Sequence, residues 1–323
     1  MIVNYPRMRR RAAWTSDLDT ALEFSSANPF SISAPKNWNG KLEYTNGSGW
    51  KTWDGSAIAS GEIENNHFIY LRGTGNSKIT GTNSIDAKWS IIGTNIACNG
   101  DIDLLLDYST VKSGNRPSMA YDCYYAMFYG CTSLTAAPSL PATTLADECY
   151  HSMFYGCTSL TTAPSLPATT LADSCYYSMF YGCTSLTTAP SLPATTLAYS
   201  CYSSMFQGCT SLTAAPSLPA TALVNYCYYA MFYGCTSLTT APSLPATTLA
   251  NSCYYYMFQG CTKIKLSTTA SGTYTKSYRI PKNGTGTTAS GALGDMFANT
   301  GGTFKGTPEI NTTYYLDESN TIV

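Results

Sequence analysis

Charged residues are scarce in this chain: Asp, Glu, Lys and Arg make up 11% of its 323 residues, and the net charge is −1. Globular domains usually contain about 25% of these residues. The sequence therefore has no basic field that would attract nucleic acid and no acidic tail. No apolar run reaches the ~18–20 residues that a transmembrane helix needs. We expect neither nucleic-acid binding nor membrane insertion.

An export signal is not evident at the N-terminus. Four arginines stand where a signal peptide has its charged segment, but polar residues follow at 15–17 in place of an apolar stretch. These arginines form either a solvated end or a short anchor that docks onto an acidic partner surface. They are Arg7, Arg9, Arg10 and Arg11.

Side chains suited to catalysis are equally few. The two histidines, His67 and His151, have no nearby nucleophile in a recognisable context. The cysteines do not follow the Cys-x2-4-Cys spacing of zinc sites. We expect no enzyme activity, no cofactor and no metal.

The abundant feature is a repeat. A Met-Phe pair recurs at intervals of 26 residues, and the surrounding residues hardly change. A strict period of this length predicts a solenoid, because one unit cannot bury its apolar face without stacking on a copy of itself. The six copies start their Met-Phe pair at Met127, Met153, Met179, Met205, Met231 and Met257.

Each unit is predicted to contain a helix. In the third copy, Thr170 and Asp173 have the spacing of a capping box. An apolar stripe at spacing four follows, and Gly182 is placed to end the helix. The stripe consists of Leu171, Cys175 and Met179.

Each unit is also predicted to contain a very short strand. Residues 183–189 read as extended, and Pro190 closes the stretch. Because proline cannot donate to a strand ladder, the strand can hold only about three paired residues. The predicted architecture is an α/β solenoid of six units, each with a short strand and a helix.

The residue pattern of the unit resembles that of one family in particular. Met179-Phe180-Tyr-Gly-Cys183-Thr-Ser-Leu186-Thr-Thr-Ala-Pro190 is similar to the BspA-like (Treponema-type) leucine-rich repeats. This unit is a few residues longer than the family norm, and its strand has Thr-Ala where the family usually has Ile. The resemblance implies a bacterial or phage protein that acts in recognition and adhesion, and it names no ligand.

Twelve of the thirteen cysteines occupy two fixed positions of the unit, always as Cys-x7-Cys. Stacked copies would bring equivalent cysteines about 5 Å apart, which is within reach of a disulfide. Free cysteine is also a well-buried apolar residue, and no export signal points to an oxidising compartment. We favour two ladders of buried thiols, with disulfides as the alternative.

The N-terminal part has a different composition. All five tryptophans precede residue 90, and short alternating segments are separated by Gly/Asn turns. This pattern predicts a small β-sandwich. Asp101 is expected to cap a short helix, Ile102–Tyr108. The predicted strands are Leu22–Ser25, Phe30–Ser33, Lys41–Thr45, Trp50–Trp53, His67–Arg72 and Lys88–Ile92, with the third and fourth forming a hairpin.

The C-terminal part contains a degenerate copy of the unit. Residues 295–300 repeat the Met-Phe motif 39 residues after Met257, as a 13-residue insertion would produce. Asn299 and Thr300 replace Gly and Cys, which suits a solvent-facing cap. We divide the chain into an arm (1–14), a β-rich domain with a capping helix (15–115), the solenoid (116–266) and a C-terminal cap (267–323).

Tyrosine marks the candidate site. The segment 118–262 holds 18 of the 26 tyrosines, four carboxylates and no Lys or Arg. Tyrosine among Ser, Asn and Gly is the composition of adaptable binding surfaces. Tyrosines present in every copy are expected to cover the core, whereas those that vary between copies are the better binding candidates. We predict ligand contacts at Tyr177, Tyr181, Tyr199, Tyr229, Tyr233 and Tyr255.

These observations favour a non-enzymatic recognition protein that binds a protein or glycan on a cell envelope. A fibre or decoration protein of a phage virion fits the absent signal, the start at Met1 and the N-terminal arginines. The alternatives are a bacterial surface adhesin and a structural spacer. An ice-binding face is a further alternative, built on Thr135, Thr161, Thr187, Thr213 and Thr239.

Overall fold

The computed structural model describes residues 15–81 and 83–323, so the four N-terminal arginines lie outside the described residues. The described residues contain one α-helix, α1 (Leu104–Lys112), and two 3-10 helices, Thr15–Thr20 and Ile85–Ala87. The strands are β1 (Leu22–Ser26), β2 (Ser31–Ser33), β3 (Lys41–Thr45), β4 (Lys51–Trp53), β5 (Ile58–Ala59), β6 (Gly61–Ile63), β7 (Asn66–Thr74), β8 (Ser90–Ile92), β9 (Ile96–Asn99), β10 (Leu134–Ala136), β11 (Thr240–Ala241), β12 (Leu266–Ser267), β13 (Tyr274–Arg279), β14 (Thr313–Asp317) and β15 (Thr321–Ile322).

The N-terminal part is built from two β-sheets. One has the order β10-β9-β1-β7-β3-β4, with β6 also paired to β7, and the other has the order β5-β2-β8. All six predicted strands overlap observed ones, and β3 and β4 form the expected hairpin, with Leu42 opposite Trp53. Strands β5, β6 and β9 were not predicted. The sandwich arrangement of the two sheets stays a prediction.

Tryptophan side chains fill the centre of this part. Trp53 stacks on Trp38 with the ring centroids 5.3 Å apart, and it meets Trp89 edge-on with the centroids 5.2 Å apart. All distances between aromatic rings are given between centroids. Phe24, from β1, contacts Phe128 of the first repeat at 6.2 Å. Since these rings belong to one continuous cluster of buried residues, the N-terminal part and the solenoid share a core.

The predicted helix Ile102–Tyr108 is displaced toward the C-terminus. Asp101 does cap the turn, because its carboxylate accepts the N–H of Asp103 at 2.9 Å. The helix itself runs over Leu104–Lys112 and is interrupted at Asp107, where φ is −153°. The Asp107 carboxylate accepts the N–H of Thr110 and so starts a second helical turn, which carries the helix past the predicted end.

The repeats contain no α-helix in the part of the chain that the structure describes, and this prediction was wrong. The predicted helix is replaced by a run of turns that we call the turn ribbon. In the third repeat, even-numbered residues 174–182 donate their N–H to carbonyl oxygens 25 residues later, at 2.8–3.1 Å. Odd-numbered residues 175–183 donate to the carbonyl three residues earlier, at 3.1–3.3 Å. Half of the ribbon's N–H groups therefore join neighbouring repeats, which an α-helix cannot do.

The ribbon is bent by a left-handed residue at every fourth position. In the third repeat these are Ser174 (φ 49°), Ser178 (φ 49°) and Gly182 (φ 68°). A positive φ was expected at Gly182 and is confirmed there. The turn ribbons are residues 122–131, 148–157, 174–183, 200–209, 226–235 and 252–261.

The capping box was also misassigned. The Asp173 carboxylate accepts the N–H of Tyr199, in the next repeat, at 2.8 Å. Asp147 accepts the N–H of Asp173 in the same way at 3.0 Å. These side chains therefore connect one repeat to the next and do not cap a helix.

The predicted short strand is two or three residues long in the first and fifth repeats and a single bridged residue in the second to fourth. Isolated parallel bridges join Thr162 to Thr188 and Thr188 to Ala214, and β10 and β11 are the longest paired stretches of the repeats. The solenoid thus has a wide side made of turn ribbons and a narrow side made of parallel bridges. What is confirmed of the architecture is a repeat solenoid. Parallel bridges recur at two positions of the unit, because Thr170–Thr196 and Ala222–Thr248 form a second column.

Two columns of aromatic rings run through the solenoid. Tyrosines at the six positions from Tyr124 to Tyr254 stack at 5.6–5.9 Å, and each is at most 2% exposed. Phenylalanines from Phe128 to Phe297 stack at 5.4–5.8 Å. The tyrosines present in every copy are core residues, as expected.

Both ends of the solenoid are covered. At the first repeat, the carbonyl groups of Cys123 and Met127 accept the N–H groups of Ile79 and Trp89. On the narrow side, β9 pairs in parallel with β10, so the N-terminal sheet continues into the strand ladder.

At the last repeat, residues 252–260 donate to carbonyl groups of residues 290–298, an offset of 38 in place of 25. The degenerate copy therefore stacks as a seventh ribbon after 13 additional residues. Asn299 is exposed and keeps the positive φ of the glycine that it replaces, at 57°. Thr300 was expected to face solvent, but it is buried and donates its hydroxyl to the carbonyl of Phe297.

A buried asparagine closes the narrow side. Asn320 donates its amide to the carbonyl groups of Thr239 and Lys263 and accepts the N–H of Lys265. Next to it, β15 pairs in parallel with β11. The end of the chain thereby takes the place that a further repeat strand would occupy.

All thirteen cysteines are buried free thiols. In the second of the two ladders, each thiol from the second repeat onward donates to the phenylalanine carbonyl of the preceding repeat, as Cys183 does to Phe154 at 3.1 Å. Burial raises the pKa of Cys183 to about 12, so almost no thiolate is present near neutral pH.

We therefore expect the twelve repeat cysteines to resist a thiol reagent until the protein is denatured. Addition of a reductant should leave the melting temperature unchanged, because no covalent link is broken. Mass spectrometry of the alkylated protein before and after denaturation measures the first result. A melting temperature that falls by many degrees on reduction would show that disulfides hold the solenoid.

Candidate functional site

The candidate surface is the outer side of the turn ribbons. Two positions of each ribbon, four residues apart, place their side chains on this side, while the Met-Phe pair between them enters the core. In the third repeat these outward residues are Tyr177 and Tyr181, both half-buried. Their copies form two rows of side chains along the solenoid.

In the first three repeats the rows are stacked columns. Tyr125, His151 and Tyr177 stack at 4.5 and 4.6 Å. Beside them, Tyr155 stacks between Tyr129 and Tyr181 at 4.5 and 4.4 Å. Stacked rings cover each other's faces, so the columns present mainly ring edges and hydroxyl groups to solvent.

Burial controls the chemistry of these columns. It lowers the pKa of His151 to about 4, so that this ring is neutral near neutral pH. It also raises the pKa of Tyr155 to about 12. The two central rings of the columns, His151 and Tyr155, are therefore uncharged near neutral pH.

The columns end at the fourth repeat. Ser203 and Gln207 occupy the two outward positions there, so no aromatic ring follows Tyr177 or Tyr181. Ser203 is nevertheless 2% exposed, because its neighbours cover it. The outer surface is thus divided into two aromatic regions.

The second region, which we call the tyrosine cluster, has a different geometry. Tyr229 and Tyr255 stack at 5.7 Å, but the other contacts are tilted or edge-on, at interplanar angles of 54–82°. Three of its members are well exposed: Tyr199 (50%), Tyr226 (37%) and Tyr233 (36%). The tyrosine cluster consists of Tyr199, Tyr226, Tyr229, Tyr233, Tyr255 and Tyr256.

The six tyrosines predicted from the sequence therefore fall into two groups. Tyr177 and Tyr181 end the stacked columns, and the other four belong to the tyrosine cluster. That these residues contact a ligand stays a prediction.

Sequence reasoning left two members of the cluster out of the predicted site, Tyr226 and Tyr256. Both occupy left-handed positions of the ribbon, with φ 60°. The signal was present in the sequence, because the other copies have no aromatic residue at these two positions.

The narrow side of the solenoid is different. Thr161, Thr187 and Thr213 are exposed there, and Thr213 donates its hydroxyl to the carbonyl of Thr187 at 3.4 Å. This ladder hardly varies between repeats, so it offers a regular row of hydroxyl and methyl groups.

Residues 121–265 match the family model for the BspA type leucine rich repeat region, in six copies. This stretch is a BspA-type leucine-rich repeat region. The resemblance of the repeat unit is thereby confirmed. The family indicates a surface, adhesion or protein-interaction role, and leucine-rich repeats of this kind are typically interaction modules without enzyme activity. Neither the curated proteins nor the solved structures contain a match to the chain.

Two further findings concern sites of other kinds. Within residues 15–81 and 83–323, no group of three or more His, Cys, Asp and Glu side chains is placed to hold a metal ion. The helices of the same residues are too short or too polar to cross a membrane.

Proposed function

We propose that this protein is a non-enzymatic recognition protein that binds a partner on a cell envelope through the outer side of its turn ribbons. The main support is a contrast in sequence variation between the interior and this surface. The core positions repeat almost without change, whereas the outward positions vary from copy to copy and are rich in tyrosine. Variation confined to the surface is what a specific binding site needs, because the fold is left intact.

The composition of the surface supports this proposal. Tyrosine supplies a large contact area with few rotatable bonds, so little conformational entropy is lost on binding. The tyrosine cluster also exposes aromatic rings together, and exposed apolar patches mark interaction sites.

Replacement of Tyr199, Tyr229 and Tyr233 together by Ser is expected to weaken binding to bacterial envelope fractions at least about a hundredfold, because aromatic residues at the centre of an interface dominate its affinity. The melting temperature should change little, since the rings of Tyr199 and Tyr233 are exposed. Sedimentation of labelled protein with the envelopes measures the binding.

The matched control replaces Thr161, Thr187 and Thr213, on the narrow side, by Ala. This variant should bind as the parent does. Binding that survives the tyrosine changes and disappears with the threonine changes would place the site on the narrow side.

For its location we propose a phage virion, as a fibre or decoration protein, with a bacterial surface adhesin as the alternative. The support comes from the sequence of the arm, where Arg7, Arg9, Arg10 and Arg11 could anchor the chain on an acidic protein surface. Mass spectrometry of purified virions tests this location. Capsid and tail genes beside the coding sequence would support it, and surface-export genes would support the adhesin.

A further inference from the structure

The two aromatic regions differ in how much ring face they expose. In a parallel stack each ring covers one face of its neighbour, so Tyr155, with a ring on either side, has both faces covered. An edge-on contact covers a face of only one of the two rings. Tyr256 meets Tyr229, Tyr233 and Tyr255 at interplanar angles of 69–82°, so the cluster leaves ring faces uncovered that are covered within a column.

Amide side chains occupy neighbouring positions of the same repeats. Asn225 and Asn251 are exposed, and Gln259 is half-buried. The Asn225 side-chain oxygen accepts the N–H of Asn251 at 3.1 Å, which fixes the side chain and leaves its NH2 group to donate.

The cluster carries no cation. The segment 118–262 has no Lys or Arg. Two carboxylates approach the cluster: Asp173 accepts the N–H of Tyr199, and Asp295 lies close enough to act on the Tyr256 hydroxyl. An anionic ligand would be repelled by these carboxylates and would find no partner.

We propose that the tyrosine cluster of the fourth to sixth repeats binds a neutral glycan. This inference rests on the proposed function and names the ligand class of the same surface. Sugar rings lie with their C–H groups, which carry a partial positive charge, against the negative faces of Tyr226 and Tyr256. Asn225, Asn251 and Gln259 exchange hydrogen bonds with the sugar hydroxyls.

The chemistry of the cluster favours a glycan over a protein partner. Protein interfaces usually combine aromatic residues with arginine and apolar side chains at a buried centre. Here the exposed residues next to the rings include Asn225 and Asn251, and the segment 118–262 contains no arginine. Uncharged amides and ring faces match a ligand that has many hydroxyl groups and no charge.

The test measures binding of the full-length chain to an array of neutral and acidic polysaccharides. We expect binding to neutral members that varies little with salt, because no charge pair is screened. Periodate oxidation of the glycan, which destroys vicinal diols, should abolish it. Tyr226→Ser should weaken binding about tenfold or more, which is the effect of losing an interface residue that contributes strongly.

Two variants separate the role of the ring face from other effects. Tyr226→Phe keeps the ring and should retain most of the affinity. Tyr129→Ser removes a tyrosine from a stacked column and should leave binding unchanged. An effect of Tyr129→Ser as large as that of Tyr226→Ser would overturn the assignment to the cluster.

Envelope fractions distinguish this inference from the proposed function. If binding to envelopes survives periodate and is lost after protease treatment, the ligand is a protein: the glycan inference fails and the proposed function stands. Preference for acidic polysaccharides would also overturn the inference. If no polysaccharide and no envelope binds, both fail.

Discussion

Replacement of Phe180 by Ala should cost about 3–5 kcal/mol of stability, and the loss should be concentrated in the repeats around it. Phe180 is fully buried between the rings of Phe154 and Phe206, at 5.6 and 5.7 Å. Its backbone also joins neighbouring repeats, because its N–H donates to the carbonyl of Met205 and its carbonyl accepts the thiol of Cys209. The alanine therefore leaves a cavity at the centre of three stacked units.

Hydrogen exchange shows whether the loss is local. Amides of the second to fourth repeats should exchange faster first, and those of the sixth repeat should follow only at higher denaturant. This order is expected because each unit of a solenoid is stabilised by its direct neighbours. If amide exchange became faster by the same factor along the whole chain, the repeats would unfold as one cooperative unit.

The neighbouring residue provides the control. Tyr181 belongs to the same ribbon, but its ring lies on the outer side and is half-buried. Tyr181→Ala should therefore cost far less than Phe180→Ala. A similar cost for both would mean that ring stacking matters more than burial.

The solenoid could be predicted from the sequence because its cause is the repeat itself. Identical units must make identical contacts, so the 26-residue period requires stacking whatever the local backbone does. The short strand was equally well determined, because Pro190 limits it on chemical grounds. The buried tyrosines followed from the same reasoning, since a residue kept in every copy serves the packing of every copy.

The helix prediction failed because a period of four residues has two structural causes. Leu171, Cys175 and Met179 are spaced as on one face of a helix. A ribbon of four-residue turns also returns to the same face at every fourth residue, and this is the observed structure. The two structures differ at the residues that bend each turn, but Ser174 and Ser178 show no preference for a left-handed backbone from sequence alone, so the difference could not be read from the sequence. The inter-repeat hydrogen bonds decide the outcome, because they satisfy in the neighbouring copy the N–H groups that a helix would satisfy internally.

The site was predictable only in part. The variable tyrosines were visible as differences between copies, but their stacking in repeats one to three and their edge-on packing beyond Ser203 depend on the ring orientations. Tyr226 and Tyr256 show why. Their importance comes from the left-handed backbone, which directs these side chains toward the outward row.

Substitutions at Ala230 distinguish the turn ribbon from a helix, because the two structures predict different changes in the free energy of unfolding. Ala230 has φ 49° and donates its N–H to the carbonyl of Tyr255 at 2.8 Å. Ala230→Pro should cost about 3 kcal/mol or more, because the ring forbids this φ and removes the hydrogen bond between repeats.

The second variant, Ala230→Gly, separates the two structures, because its expected effect on stability differs between them. In a helix this change would cost about 1 kcal/mol. In the left-handed region glycine relieves about 1–2 kcal/mol of backbone strain, against about 0.8 kcal/mol for the loss of one buried methyl group. The glycine variant should therefore be neutral or slightly more stable than the parent, as measured by denaturant unfolding monitored through the repeats. A loss of 1 kcal/mol or more in Ala230→Gly would mean that this segment is helical, and the description of the turn ribbon would have to be abandoned.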